Sequence, residues 1–218
     1  MPEVVKPRRA YHSPRRQEQA QATRGSILEA ARSLFVERGY LPTTIDAVAV
    51  RANVSPESIY AIFKNKRALL STLLDLAIAG SDDAPPVLEQ AWVKSIAAES
   101  DPRRRLRILA RNGRALLERR AAVDEIVRGA AAADHEIAEL WERGKSDRLA
   151  GQRKLLQLVL GESGLAEGLD FDTAVDVLYA VGSPETYRLL VVDRGWSSSR
   201  FERWYGETLE RLLLRAVE

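Results

Sequence analysis

Between residues 24 and 70 the chain sets hydroxyl, phenol and ammonium groups on short periodic segments. These are Thr43-Thr44-Ile45, Asn53-Val54-Ser55-Pro56 and Tyr60-Ala61-Ile62-Phe63-Lys64-Asn65-Lys66, behind an apolar-periodic run that ends at Gly39-Tyr40. Such groups bind rather than make or break bonds: hydroxyls and helix-end amides donate to phosphate oxygens and base edges, and an ammonium pairs with phosphate. The order reads as a helix-turn-helix with flanking helices, in which two short helices joined by a tight turn push one helix end into a major groove while the other braces on the backbone.

Bond-making chemistry finds no comparable footing. The only histidines are His12 and His135, and without cysteine they assemble no usual metal quartet. Asp134-His135-Glu136 could suggest acid–base work, but consecutive helical residues point in different directions, and a capping or solvated role is the simpler reading. The glycines at 161, 164 and 168 form neither a dinucleotide nor a phosphate-loop pattern, and no strand precedes them. The expectation is no catalytic residue, no metal and no cofactor.

The elements that must position the binding groups follow from periodicity and caps. Met1 to Ala22 is charged, contains proline and lacks periodicity, which reads as a flexible basic arm over residues 1–22. A helix starts near Thr23, with Ile27, Leu28, Ala31, Leu34 and Phe35 on one face, and Gly39 ends it. Thr44 caps a helix to about Ala52, with Ile45, Val48, Ala49 and Ala52 inward; Asn53 takes the turn because it tolerates positive φ. Ser55 caps a third helix with Pro56 at its first position and Ile59, Ile62 and Phe63 inward, and a fourth starts near Lys66. Ser81 to Pro86 marks a boundary. Beyond it, helical segments are expected at about 87–99, 102–119, 121–133 and 135–160, then a loop from Gly161 to Asp170, a helix over 172–193 interrupted at Gly182-Ser183-Pro184, and a last helix over 200–217. The fold class is all-α: residues 23–66 form the DNA-reading unit and residues 67–218 a helical bundle.

Charge is divided to match. Net charge is only +2. Residues 1–67 hold 12 Lys or Arg against 6 Asp or Glu, and the remainder 21 against 25, so +6 faces −4 along the chain. A hydrophobic content of 45% supports real cores. No apolar run approaches the roughly 18 residues a membrane span needs, and the first 24 residues hold no signal-peptide core, so the expected setting is cytoplasmic and away from the membrane.

These residues resemble the TetR family of transcriptional regulators. Gly39-Tyr40, Thr43-Thr44, Val54-Ser55, Ile59-Tyr60, Phe63 and Lys64 to Leu70 carry the likeness most specifically, and Phe171 to Ala174, Ser183-Pro184-Glu185, Tyr187 to Leu190, Arg194-Gly195-Trp196 and Trp204 are similar to the C-terminal half of one subgroup. The resemblance implies a homodimer whose N-terminal units each read half of a palindromic operator, and a C-terminal domain whose small-molecule effector shifts their separation. It also implies roles: Ser55, Pro56, Glu57 and Ser58 toward base edges, Tyr60 and Lys66 donating to phosphates, and Thr43 and Thr44 adding hydroxyl or amide contacts. Three departures stand out. Asn53 replaces the usual Gly, Ile62 sits where a backbone-gripping His or Tyr is common, and the third helix has no Arg, Gln or Asn for a bidentate base contact. Readout therefore leans on DNA shape and on the arm residues Lys6, Arg8, Arg9, Arg15 and Arg16.

Within the bundle, large or polar residues in apolar runs nominate Arg111, His135, Trp141, Tyr179 and Tyr187 as effector contacts. The last helix offers Phe201, Trp204, Tyr205, Leu209 and Leu212, which with Val175 and Leu178 could form a two-fold four-helix interface. The alternative is that this face closes the monomer's own core. The reading that joins these features is a ligand-responsive repressor. Its rivals are a helical ligand-binding protein or enzyme that keeps the fold without specific DNA binding, and a DNA-bound scaffold that answers to a protein partner.

Overall fold

The computed structural model describes residues 14–161 and 164–215. The expected arm contacts through Lys6, Arg8, Arg9 and the side chain of Arg16, and the histidine His12, lie outside the described residues. Among the described residues ten helices run in order: α1 (Pro14–Arg38), α2 (Ile45–Ala52), α3 (Pro56–Phe63), α4 (Lys66–Ala79), α5 (Ala91–Ala98), α6 (Pro102–Ala131), α7 (His135–Val159), α8 (Phe171–Val181), α9 (Pro184–Tyr187) and α10 (Ser198–Leu213). A 3-10 turn at Val87–Glu89 precedes α5, and a π-helical turn at Arg188–Asp193 continues α9. Among the described residues no helix is long and apolar enough to cross a membrane.

Local chemistry sets most of the helix starts. Thr44 Oγ1 accepts the Ala47 amide at 3.1 Å, Ser55 Oγ the Ser58 amide at 3.3 Å, and Asn65 Oδ1 the Ala68 amide at 2.8 Å. Asp101, Asp134, Asp170, Ser183 and Ser197 cap the later helices in the same way. Proline follows the cap at positions 56, 102 and 184, where its missing N–H leaves no bond unmade. Asn53 takes the turn between α2 and α3 at φ 54°.

Three expected boundaries move. The first helix begins at Pro14 rather than near Thr23, because Arg, Gln, Glu and Ala between 14 and 22 are helix formers that continue it although Arg15 and residues 17–22 are exposed. The two segments expected at 102–119 and 121–133 are one helix of 30 residues, since nothing between Arg119 and Ala122 breaks the backbone. The last helix runs from 198 to 213, started by Ser197 and followed by an isolated antiparallel pairing of Leu165 with Leu214.

Two apolar cores result. The first joins α1 to α4 with Val123, Val127, Ala130 and Ile137, and the second joins α5, α8 and α10 with the N-terminal half of α6 and the C-terminal half of α7. The boundary expected at residue 66 therefore does not separate the cores. Leu69, Leu70, Leu73 and Leu74 of α4 belong to the reading unit's core, and α6, about 45 Å long at 1.5 Å per residue, has one half in each.

Candidate nucleic-acid interface and bundle cavity

The α2–α3 pair projects its polar surface away from the first core. Ile59 and Phe63 are buried, while Ser55, Glu57, Tyr60, Ala61 and Lys64 are exposed and Pro56 and Ser58 half-buried. Ile62, expected inward, is instead exposed on the same helix. The caps use the Thr44 and Ser55 oxygens as acceptors, which leaves the Thr44 hydroxyl hydrogen able to donate outward, whereas the Ser55 hydroxyl is shared between Ser58 Oγ at 3.1 Å and the Glu57 carboxylate. Glu57 is held below the usual carboxylate range by its own backbone amide and by Ser55, so the outer face of α3 carries a fixed negative charge. Such a carboxylate repels phosphate and can accept from a cytosine amine.

Two residues expected to touch DNA are engaged inside the fold. Thr43 is 1% exposed, and its Oγ1 donates to the Gly39 carbonyl at 2.8 Å. Lys66 Nζ donates to the carbonyls of Tyr40 (2.9 Å), Leu41 (3.2 Å) and Thr43 (2.9 Å), and lies 4.2 Å from the centroid of the Tyr40 ring. Burial pulls its pKa down, with Asp134 opposing. The physical reason is geometric: the turn after α1 exposes three carbonyls with no helical partner, and the first residue of α4 sits where its ammonium can satisfy them. Lys66 is thus a clasp between α1, the turn and α4 rather than a phosphate ligand.

One cation on this surface escaped the sequence reading. Lys64 ends α3 at φ 65° with its side chain exposed, and among the described residues it forms no ion pair. Its position at the end of the α3 motif was visible, but its role depends on Lys66 turning inward. Arg51, by contrast, is engaged by Glu37 through two bonds of 2.9 Å, and Arg67 pairs with Glu136 at the start of α7.

The bundle encloses a cavity of about 310 Å³ between α4, α6 and α7, closed by Trp92, Leu178, Gly182 and Tyr205. A larger and more open depression of about 500 Å³ lies between Tyr40, Ile126 and Val192; it is an apolar surface groove with few polar groups, so the enclosed cavity is the better ligand site. None of the five expected effector contacts lines that cavity. Arg111 is exposed; His135 is 86% exposed and faces Glu139; Trp141 packs on the first core beside Lys145; Tyr179 lies under Arg148 at 3.9 Å; and Tyr187 is buried edge-to-face on Phe201. Size and polarity within an apolar run do not reveal which side of a helix meets the void. Helix-interior glycine would have been a better guide: a Cβ placed on Gly144 or Gly151, seven residues apart on α7 and both lining the cavity, meets nothing within 4 Å.

The expected dimer surface is also corrected. Val175, Leu178, Phe201, Tyr205 and Leu209 are all buried in the second core of the single chain, Trp204 is half-buried on Phe201, and only Leu212 is freely exposed. A helix with apolar residues over so wide an arc can pack against α6 and α8 at once, and α10 does so.

Residues 27–73 match the family described as "Bacterial regulatory proteins, tetR family". Over 173 residues the chain is 29% identical to YdeS, an uncharacterized HTH-type transcriptional regulator of Bacillus subtilis, covering 78% of this chain and 80% of that one. Among solved structures it is similar to NalD, the secondary repressor of the MexAB-OprM multidrug efflux pump in Pseudomonas aeruginosa, with a TM-score of 0.69 and 23% identity over 91% of this chain and 100% of that one. It is also similar to SmeT in its complex with triclosan, with a TM-score of 0.63 and 22% identity over 89% and 92% of the two chains. At these identities the two structures speak for the fold.

Proposed function

We propose that this chain, whose residues 27–73 match the tetR family of bacterial regulatory proteins and whose relatives are HTH-type transcriptional regulators, is a DNA-binding repressor that binds a palindromic operator as a homodimer and is released by a small molecule held in the bundle cavity. The reading surface consists of Thr44, Ser55, Pro56, Glu57, Ser58, Tyr60 and Lys64. Thr44, Tyr60 and Lys64 hold phosphates, and the exposed start of α3 enters the major groove with Glu57 and Ser58 toward base edges. Thr43 and Lys66 set the turn that aims it. Acting on DNA, the protein works in the cytoplasm.

The observation that carries the effector step is the double membership of α4. Its first residue clasps the turn before α2 through three carbonyls, and about two to three turns later Leu74, Asp75 and Ile78 form a wall of the cavity. A ligand that occupies the cavity best when α4 is tilted selects a conformation in which the two α3 helices no longer match successive major grooves. The descriptions of NalD as a repressor linked to multidrug efflux and of SmeT as a triclosan complex favour a small, largely apolar effector.

Selection of bound duplexes from a random library tests the DNA step. An inverted repeat should be enriched, and its affinity should fall steeply between low and moderate salt. Failure to enrich any sequence, with weak and salt-insensitive binding, would reject the reading.

A further inference from the structure

The cavity's charges do not cancel. Three arginines line it, and each already has an anion: Arg120 pairs with Asp124 at 2.5 and 3.0 Å, Arg148 with Glu185 at 3.4 Å while its guanidinium lies on the Tyr179 ring, and Arg143 with Glu139 at 3.5 Å. Two carboxylates stand at its rim as well, Asp75 on α4 and Asp147 on α7, both on solvent-exposed residues, and among the described residues neither forms an ion pair. Partial burial pushes the Asp75 carboxyl above its usual range.

A third acceptor lies on the same wall as Asp147. Gln152 Nε2 donates to the Gly182 carbonyl at 3.4 Å, which fixes the amide's orientation, and its Oε1 is buried without a partner. A buried acceptor left unmade costs free energy that a bound donor would recover. Trp92 offers its ring but no donor, because its indole N–H is engaged by Gln90 at 2.9 Å. The rest of the wall is mostly leucine and isoleucine.

We propose that the cavity binds an amphipathic cation, an apolar body bearing a protonated amine, with the ammonium between Asp75, Asp147 and Gln152 Oε1 and the body among the leucines. Such a ligand supplies the missing positive charge and the donor for Gln152, and it bridges α4 to α7, the two walls whose spacing sets the tilt of α4. The proposal rests on the effector reading above and gives the chemical class of the effector.

Calorimetric titration of the full chain tests it with phenyl, naphthyl and octyl bodies, each carrying an aminomethyl, a hydroxymethyl or a carboxymethyl group. The amines should bind best, roughly tenfold or more above the alcohols, and the carboxylates worst. Asp75→Asn and Asp147→Asn, checked for an unchanged melt, should each weaken amine binding and leave alcohol binding as it was. Equal affinity across the three head groups, preference for the carboxylates, or no amine binding anywhere in the set overturns the proposal. Operator binding measured on the same samples keeps the two readings apart. Intact operator binding without amine preference removes only the ligand class, whereas amine binding without operator binding removes only the DNA reading.

Discussion

Tyr60 and Lys66 carry the same expectation in the sequence, a donor for phosphate, and the fold gives them opposite surroundings. Tyr60 is half exposed on the outer face of α3, whereas the Lys66 ammonium lies among three carbonyls and over an aromatic ring. Their removal should therefore be felt in different measurements. Lys66→Met removes the ammonium from three carbonyls, of which that of Tyr40 keeps the Thr43 amide, and should lower the unfolding free energy by about 2 kcal/mol, since hydrogen bonds to charged groups are worth about 1.5–3 kcal/mol each and water replaces part of the loss. Tyr60→Phe should melt as the parent does and bind duplex DNA more weakly at every sequence. A Lys66→Met protein that keeps the parent's denaturation midpoint would show that the clasp contributes nothing. Glu57 gives a third contrast at this scale: as an ionised group on the surface proposed to face DNA, its replacement by Gln should raise affinity for random duplexes and blunt discrimination among operator variants. Competition binding against both kinds of DNA reads the two effects at once.

Glycine within a helix has opposite meanings at two places on the cavity wall. At Gly151 of α7 an added Cβ meets nothing, so Gly151→Ala should raise stability by about 0.5–1 kcal/mol through helix propensity alone. At Gly182, just past α8, a Cβ would stand 2.3 Å from Tyr205 Oη and 3.0 Å from the Leu178 carbonyl, so Gly182→Ala should cost about 1–3 kcal/mol through overpacking. Paired melts decide it, and a destabilised Gly151→Ala would mean that α7 lies closer to α4 and α6 than the cavity implies. The same contrast shows what the sequence disclosed. Caps, turns and one-sided stripes are local, and Thr44, Asn53, Ser55 and Asn65 all act as their types require. Which face of α7 or α10 meets a neighbour depends on elements far along the chain. Asp75, breaking the apolar run of α4, and Gly144 and Gly151 at heptad spacing were visible, but only the approach of α4, α6 and α7 makes them one site. Lys66 follows the same rule: its type was legible, whereas its acceptors belong to a turn more than twenty residues away.

The whole molecule must pair if two α3 helices are to read one operator, and the residues first expected to do this are unavailable because they build the chain's own second core. The exception is Leu212 (48% exposed) on α10, and the other exposed large apolar side chains of the bundle among the described residues are Leu189 (53%) and Val192 (66%) on the π-helical turn after α9 and Leu149 (40%) on α7. The turn packs on α10, and α9 on α6, so these segments form one continuous outer layer of the bundle. A π-helical turn places residues off the 3.6-residue repeat, which is how Leu189 and Val192 come to face solvent within a sequence that reads as an inward stripe. The proposed two-fold interface therefore belongs on this layer. Val192→Glu places a charge where two copies would meet and should halve the mass seen by sedimentation at micromolar protein while leaving the melt of the chain near that of the parent at high dilution. Phe201→Glu, at 0% exposure, should instead unfold the second core. Operator affinity should fall for both, but only the first variant should recover it at high protein concentration, because mass action can restore a weakened dimer and cannot restore a lost core. A Val192→Glu protein with unchanged mass and unchanged operator affinity would move the interface off this layer.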